Sequence, residues 1–222
     1  MKRRNPSGKH PWKLEMFPRM KMLGAKTPDD LIEIAEDATR SASDRSTACS
    51  LLGLMRSRAS ISALLQLGLS EKEDLLIWEA LAAVGAIGSR TATRPLIHLV
   101  RTTDSGFRRQ AAVFALGLLH DQRARSALTK ALLDARESAK ARGLAAEALG
   151  LLRATPRTVH VLIEMLRDAS AEVRYSALCS LGALRSKPAL RSIESLLGDQ
   201  TIVDGSMSMA DRAAEVMAGI RG

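Results

Sequence analysis

Histidine, cysteine and a recurring arginine are the residues of this chain with chemistry to offer. The four histidines, His10, His98, His120 and His160, never fall into H-E-x-x-H, and no C-x-x-C pair occurs. The usual zinc-ligand spacings are therefore missing. No G-x-G-x-x-G or P-loop string provides a phosphate cradle, and no Ser/His/Asp grouping emerges. The expectation is a chain with no catalytic residue, no metal and no cofactor, and the balance favours a non-enzymatic protein over an enzyme.

The elements that would position any site are set by a period. Glycine recurs at Gly53, Gly85, Gly117, Gly150 and Gly182, in steps of 32 or 33 residues. Five residues before each stands Ala48, Ala80, Ala112, Ala145 or Ala177. We read Ala214 and Gly219 as a sixth pair after a step of 37. A fixed period in this range marks stacked helical hairpins, so one elongated array is expected over 27–222. First helices are predicted near 28–40, 59–69, 92–102, 123–135, 156–167 and 188–198. Second helices are predicted near 44–56, 74–88, 106–119, 138–152, 171–185 and 208–220. Thr27-Pro28-Asp29-Asp30 reads as a helix start. Gly198–Ser206 reads as a longer loop.

On a helical wheel the Ala column, the column before the Gly and the column two after it share one face, the expected buried stripe. The Gly lies off that stripe. A mid-helix Gly costs about 1 kcal/mol against Ala, so its repetition argues for a neighbouring repeat leaning in. His98 and His160 then sit two repeats apart and should not meet. Cys49 and Cys179 would stand roughly 30–40 Å apart, four repeats at about 8–10 Å each, too far for a disulfide.

Aromatics are 3% of the chain, so Leu, Ala, Val and Ile must build the core, which suits close-packed helices. The net charge of +9 is unevenly placed. Residues 1–26 hold Lys2, Arg3, Arg4, Lys9, Lys13, Arg19, Lys21 and Lys26 against Glu15 alone. Pro6, Gly8, Pro11, Pro18 and Gly24 lead us to expect an irregular basic arm there. Trp12, Met16, Phe17 and Met20 are expected to cap the first repeat. The arm's Lys2, Arg3, Arg4, Lys9, Lys13, Arg19 and Lys21 are candidate contacts to an anionic partner, nucleic acid among them; a solvated tail is the competing reading. No apolar run reaches 18 residues, and no apolar segment follows the basic start, so neither a membrane span nor a secretory signal is expected. A cytoplasmic setting is the expectation.

Arg109-Gln-Ala-Ala-Val-Phe-Ala-Leu-Gly117, Arg142-Gly-Leu-Ala-Ala-Glu-Ala-Leu-Gly150 and Arg174-Tyr-Ser-Ala-Leu-Cys-Ser-Leu-Gly182 resemble short HEAT-like repeats of the phycobilisome-lyase type. The resemblance covers about 27–222 and implies an all-α fold, a right-handed α-α superhelix of about six helical hairpins. It also implies a ladder of Asp–Arg contacts between repeats, for which Asp104, Asp134 and Asp168 are suitably placed. Ile77 departs from the Arg position, as does Asp211. Some HEAT-like enzymes, the deoxyhypusine hydroxylases, hold iron through His-Glu dipeptides, and none occurs here.

The inner face of such a solenoid would be lined by columns seven and three before the Gly and one after it. Trp78, Gln110, Phe114, Glu147 and Tyr175 lie in these columns, with Glu79 beside them, and the face is poor in Lys and Arg. It suits a protein or peptide partner anchored by aromatics. The competing reading makes Phe114 and Leu118 inter-repeat core. The first function expected is thus a non-enzymatic interaction scaffold. The alternatives are a nucleic-acid-binding protein, through the arm or as a HEAT-like DNA glycosylase using Glu79, Glu147, Trp78 and Tyr175, and a bilin-lyase-like protein. Few charges at Ala218-Gly219-Ile220 leave room for a homo-oligomer.

Overall fold

The computed structural model describes residues 11–203, 205 and 207–222. Thirteen α-helices follow one another among them, with no named strand. After a lone α1 (Pro11–Leu23) come six hairpins: α2 (Pro28–Glu36) with α3 (Ala42–Leu54), α4 (Ile61–Ser70) with α5 (Asp74–Ile87), α6 (Thr93–Thr102) with α7 (Gly106–Leu119), α8 (Arg125–Leu133) with α9 (Ala139–Gly150), α10 (Pro156–Met165) with α11 (Ala171–Ala183), and α12 (Leu190–Glu194) with α13 (Met209–Arg221). This is the α-α superhelix class expected from the period. Contacts divide the chain into two compact units, Met1–Ile87 and Gly88–Gly222. In the first, α3 packs on α2 and α5; in the second, α9 packs on α7, α8 and α11.

Several helix starts have a local cause in a side-chain cap. Thr27 and Asp30 form a reciprocal capping box, Asp30 N–H donating to Thr27 Oγ1 at 3.2 Å and Thr27 N–H to Asp30 Oδ2 at 2.9 Å. The backbone N–H of Lys26, then that of Thr27, hold the Asp30 carboxyl below its usual range. Ser41, Ser105, Ser138 and Thr155 cap α3, α7, α9 and α10 in the same sense.

Two columns of the expected stripe are buried in each of the first five repeats, while in the third, two residues after the glycine, Met55 and Leu184 are only half-buried. Ala48, Ala80, Ala112, Ala145 and Ala177 are fully buried, as are Leu52, Val84, Leu116, Leu149 and Leu181. The glycines sit where the next repeat presses closest. A Cβ on Gly53 would lie 2.9 Å from Ala83 Cα, one on Gly117 3.1 Å from Ala148 Cβ, and one on Gly150 2.6 Å from Ser180 Cβ. In all three cases the neighbour stands two residues before the glycine position of the following repeat.

Three expectations need correction. Residues 11–23 are helical, not irregular. Pro11 opens α1, where a missing N–H leaves no bond unmade, and the interior Pro18 is tolerated while Met16, Met20 and Leu23 are buried and α1 lies on α3. Gly24 (φ 77°) ends the helix, with Ala25 N–H on Met20 C=O at 2.9 Å. Second, the expected cap is met by Met16 and Met20, but Phe17 is 61% exposed. Third, the sixth pair is out of register. Ala214 and Gly219 are exposed, and the buried residues of α13 are Met209, Ala210, Ala213, Met217 and Ile220. The glycine position there is Ala218: Gly182 meets Val216, two residues before it. The long loop is present. Asp199 C=O accepts from Ala210 N–H and Thr201 C=O from Met209 N–H, each at 2.9 Å, and α12 stops at Glu194.

Candidate functional site

The expected contact residues all lie on second helices. On α5, Trp78 is half-buried, and Glu79 Oε2 accepts from Ser50 Oγ of α3 at 3.0 Å. On α7, Gln110 Nε2 donates to Ser138 Oγ at 3.0 Å, and Phe114 is half-buried. On α9, Glu147 is exposed and its Oε1 accepts from Ser176 Oγ of α11 at 2.9 Å. On α11, the ring of Tyr175 lies under the Arg212 guanidinium, 5.5 Å from the ring centroid. The polar members of the set are therefore also bridges from one repeat to the next. Within the second unit the face continues through Leu118, half-buried, and Leu151, 50% exposed. A chain of polar bridges thus frames a strip of aromatic and aliphatic side chains that water still reaches.

The arginine ladder is real but only partly as expected. Arg142 pairs with Asp168, both side chains largely buried, with Nη2 on Oδ1 at 3.1 Å. Arg109 passes over Asp134 and takes Glu137 at 2.7 Å, while its Nε donates to Val100 C=O at 3.2 Å. Asp134 is held instead by Arg136 two residues on, Nε to Oδ1 at 2.9 Å, which keeps its carboxyl well below the usual range. Among the described residues Asp104 joins no ion pair. Two rungs were not foreseen: Arg45 with Glu71, and Arg174 with Asp199 at 2.9 Å. The missed signal is a carboxylate 25 to 28 residues after each arginine, the reach from one second helix to the interhelix turn of the next repeat. Each rung ties neighbouring repeats through a charge-assisted bond, which is a structural role.

Asp121 forms a second buried polar cluster. Thr93 Oγ1 donates to its Oδ2 at 2.8 Å, Arg123 Nε does so at 2.9 Å, and Arg123 N–H reaches Oδ1 at 3.0 Å. The Arg123 side chain, then its backbone amide, then Thr93 hold this carboxyl far below the ordinary range despite burial. The cluster stitches the turn before α8 to the first turn of α6.

Among the described residues no three His, Cys, Asp or Glu converge as metal ligands. His98, His120 and His160 are exposed; His120 Nδ1 lies 3.3 Å from Leu151 C=O, and His160 lies 3.3 Å from Glu164. His10, Lys2, Arg3, Arg4 and Lys9 fall outside the described residues. Lys13 stands on α1, and Arg19 and Lys21 are exposed there. Among the described residues no helix is long and apolar enough to cross a membrane.

The family model for HEAT repeats matches residues 28–117 and 125–204, and that for the PBS lyase HEAT-like repeat matches 108–134. No curated protein matches the chain in sequence. Among solved structures, the complex of CpcE and CpcF of phycocyanin lyase from Nostoc sp. PCC7120 is similar at 19% identity and a TM-score of 0.59, over 71% of this chain and 98% of that one. A designed armadillo repeat protein in complex with a (KR)4 peptide is similar at 20% identity and a TM-score of 0.55, over 87% of this chain and all of that one. An engineered protein is similar at 17% identity and a TM-score of 0.56, over 87% and 96%. Identities this low speak to the fold alone.

Proposed function

Since the chain belongs to the HEAT repeat family, we propose that it is a non-enzymatic interaction scaffold whose second helices receive a peptide segment of a partner protein. The observation that carries this reading is the water-accessible strip of Phe114, Leu118, Leu151 and Tyr175, framed by Gln110 and Glu147. Aromatic and aliphatic anchors bordered by polar groups are what a short segment needs for affinity and register. A designed protein of similar fold holds an eight-residue-scale basic peptide, which supports the use of such a face. Trp78 and Glu79 on α5 are proposed as the contact residues of the first unit's own face. A cytoplasmic setting is proposed from Cys49 and Cys179, neither of which is joined in a disulfide and the first of which is fully buried.

The test is selection of displayed random peptides on the purified chain, followed by affinity measurement with Tyr175→Ala and Leu151→Asp. Both substitutions should weaken capture at least tenfold while leaving far-UV circular dichroism unchanged. Enrichment of no peptide, or enrichment insensitive to both variants, would count against the strip.

A further inference from the structure

The total charge conceals a partition. Residues 27–87 carry 5 basic and 10 acidic side chains, whereas 88–222 carry 20 and 13. Inside the second unit the pairing follows the helix. The ladder arginines of the second helices, Arg109, Arg142 and Arg174, are taken up by carboxylates. The cations of the first helices and the turns leading into them are mostly left over. Arg90, Arg94, Arg101, Lys130, Arg157 and Arg191 are exposed and, among the described residues, join no ion pair.

Two clefts gather these groups. One, of about 760 Å³, is walled by Arg123, Arg125, Lys130 and Arg157. Its carboxylate, Asp134, is already held by Arg136. The other, of about 610 Å³, is walled by Arg90, Thr91, Arg94 and again Arg123. Two guanidinium groups are fixed in advance. Arg123 is held by Asp121 and by the Arg90 carbonyl at 2.8 Å; Arg125 is held by Thr158 Oγ1 at 2.7 Å and the Arg153 carbonyl at 2.9 Å. Guanidinium groups ordered before binding lose little freedom on meeting an anion.

We propose that the first-helix face of residues 88–222 binds the phosphate backbone of a double-stranded nucleic acid without reading its sequence. Length is the first reason. Unpaired cations run from α6 to α12, four successive hairpins, about 30 Å at roughly 8–10 Å each. A compact anion covers one cleft, whereas about nine base pairs of duplex at about 3.4 Å each cover the row. Composition is the second. Arginine outnumbers lysine there, and its planar fork matches phosphate oxygens two at a time. The third is the placement of rings. Trp78, Phe107, Phe114 and Tyr175 are all on second helices, so the first-helix face offers unstacked bases no platform. This surface uses other elements than the peptide strip, and neither reading depends on the other.

The experiment measures fluorescence anisotropy of a labelled duplex of about 20 base pairs with the full chain, from roughly 50 to 200 mM KCl. It compares the chain with Arg94→Gln/Lys130→Gln/Arg157→Gln, exposed cations that join no ion pair among the described residues. Both are also made with Lys2, Arg3, Arg4 and Lys9 changed to Gln. The triple variant should lose about tenfold or more in affinity at low salt, and the slope of log affinity against log salt should fall by about 2.7, or 0.9 per contact. Both losses should appear in either background, and a single strand of equal length should bind more weakly. Undiminished binding by the triple variant would overturn the proposal. So would polyglutamate or phosphatidylserine vesicles bound as tightly as the duplex with the same sensitivity, which would assign the face to an acidic protein or a membrane surface.

Discussion

Gly150→Ala isolates the cost of filling one inter-repeat notch. The added methyl would lie 2.6 Å from both Cβ and Oγ of Ser180 and 2.9 Å from its Cα. Carbon atoms prefer about 3.5–4.0 Å, so α9 and α11 must part by about 1 Å or the helix must bend. Overpacking of this kind costs about 1–3 kcal/mol. Displacing Ser180 also disturbs its 2.9 Å bond to the Ala146 carbonyl, worth about 1 kcal/mol. Against these stands a gain of about 1 kcal/mol in helix propensity. The sum is a destabilisation of about 1–3 kcal/mol. Gly219→Ala has the same propensity gain and meets nothing within 4 Å, so it should stabilise by about 0.5–1 kcal/mol. Urea unfolding followed by circular dichroism reads both as midpoint shifts of opposite sign. Ser180→Gly in the Gly150→Ala background should restore part of the loss, as coupled neighbours do. If the two alanines shift the midpoint in the same direction, the steric account of the glycine column is wrong.

Three further outcomes are expected. Arg56 (φ 52°) and Arg185 (φ 47°) hold left-handed backbone at helix ends, so Arg56→Gly or Arg185→Gly should raise stability by about 0.5–1 kcal/mol in thermal melts; a loss would show that the side chain matters more than the backbone. Asp121 is more acidic folded than unfolded, so its contribution is complete above about pH 4 and fades as the unfolded carboxyl takes up protons below it. Asp121→Asn should therefore cost about 1.5–3 kcal/mol at neutral pH, the gap narrowing toward pH 2; a pH-independent gap would contradict the linkage. Burial, then the charge of Glu79, pushes the Cys49 thiol up to about 12, while Cys179 is half-buried. A thiol reagent near pH 8 should modify Cys179 in the native protein and Cys49 only on unfolding, and equal rates would refute that difference.

The hairpins were legible because stacking imposes the same steric demand at every step, and Ala48 through Ala177 repeat it without exception. The register of the sixth hairpin was not, because alanine, not glycine, stands at its notch position. Ala214 and Gly219 imitate the spacing by type, while the burial pattern of Ala213, Met217 and Ile220 is what marks the register. Helix α1 was missed because proline and glycine were read as breakers wherever they stood; position decides, and Pro11 and Gly24 sit at the two ends. The ladder partner of Arg109 was misjudged because Asp134 has a nearer cation in Arg136, a competition between neighbours that spacing alone does not reveal. The residues of the second-helix face were located correctly on their elements, but their bonds to the next repeat needed coordinates. The left-handed positions Arg56, Gly88, His120 and Arg185, each three residues past a glycine, also escaped notice because three of the four are not glycine.

Ala218 takes the place that glycine holds in every earlier hairpin, so α13 presents a methyl group where the helices before it present a notch. Whatever packs on that side of α13 meets one more carbon atom than α11 meets at Gly150, and Ala218→Gly is the change that would open the same notch there.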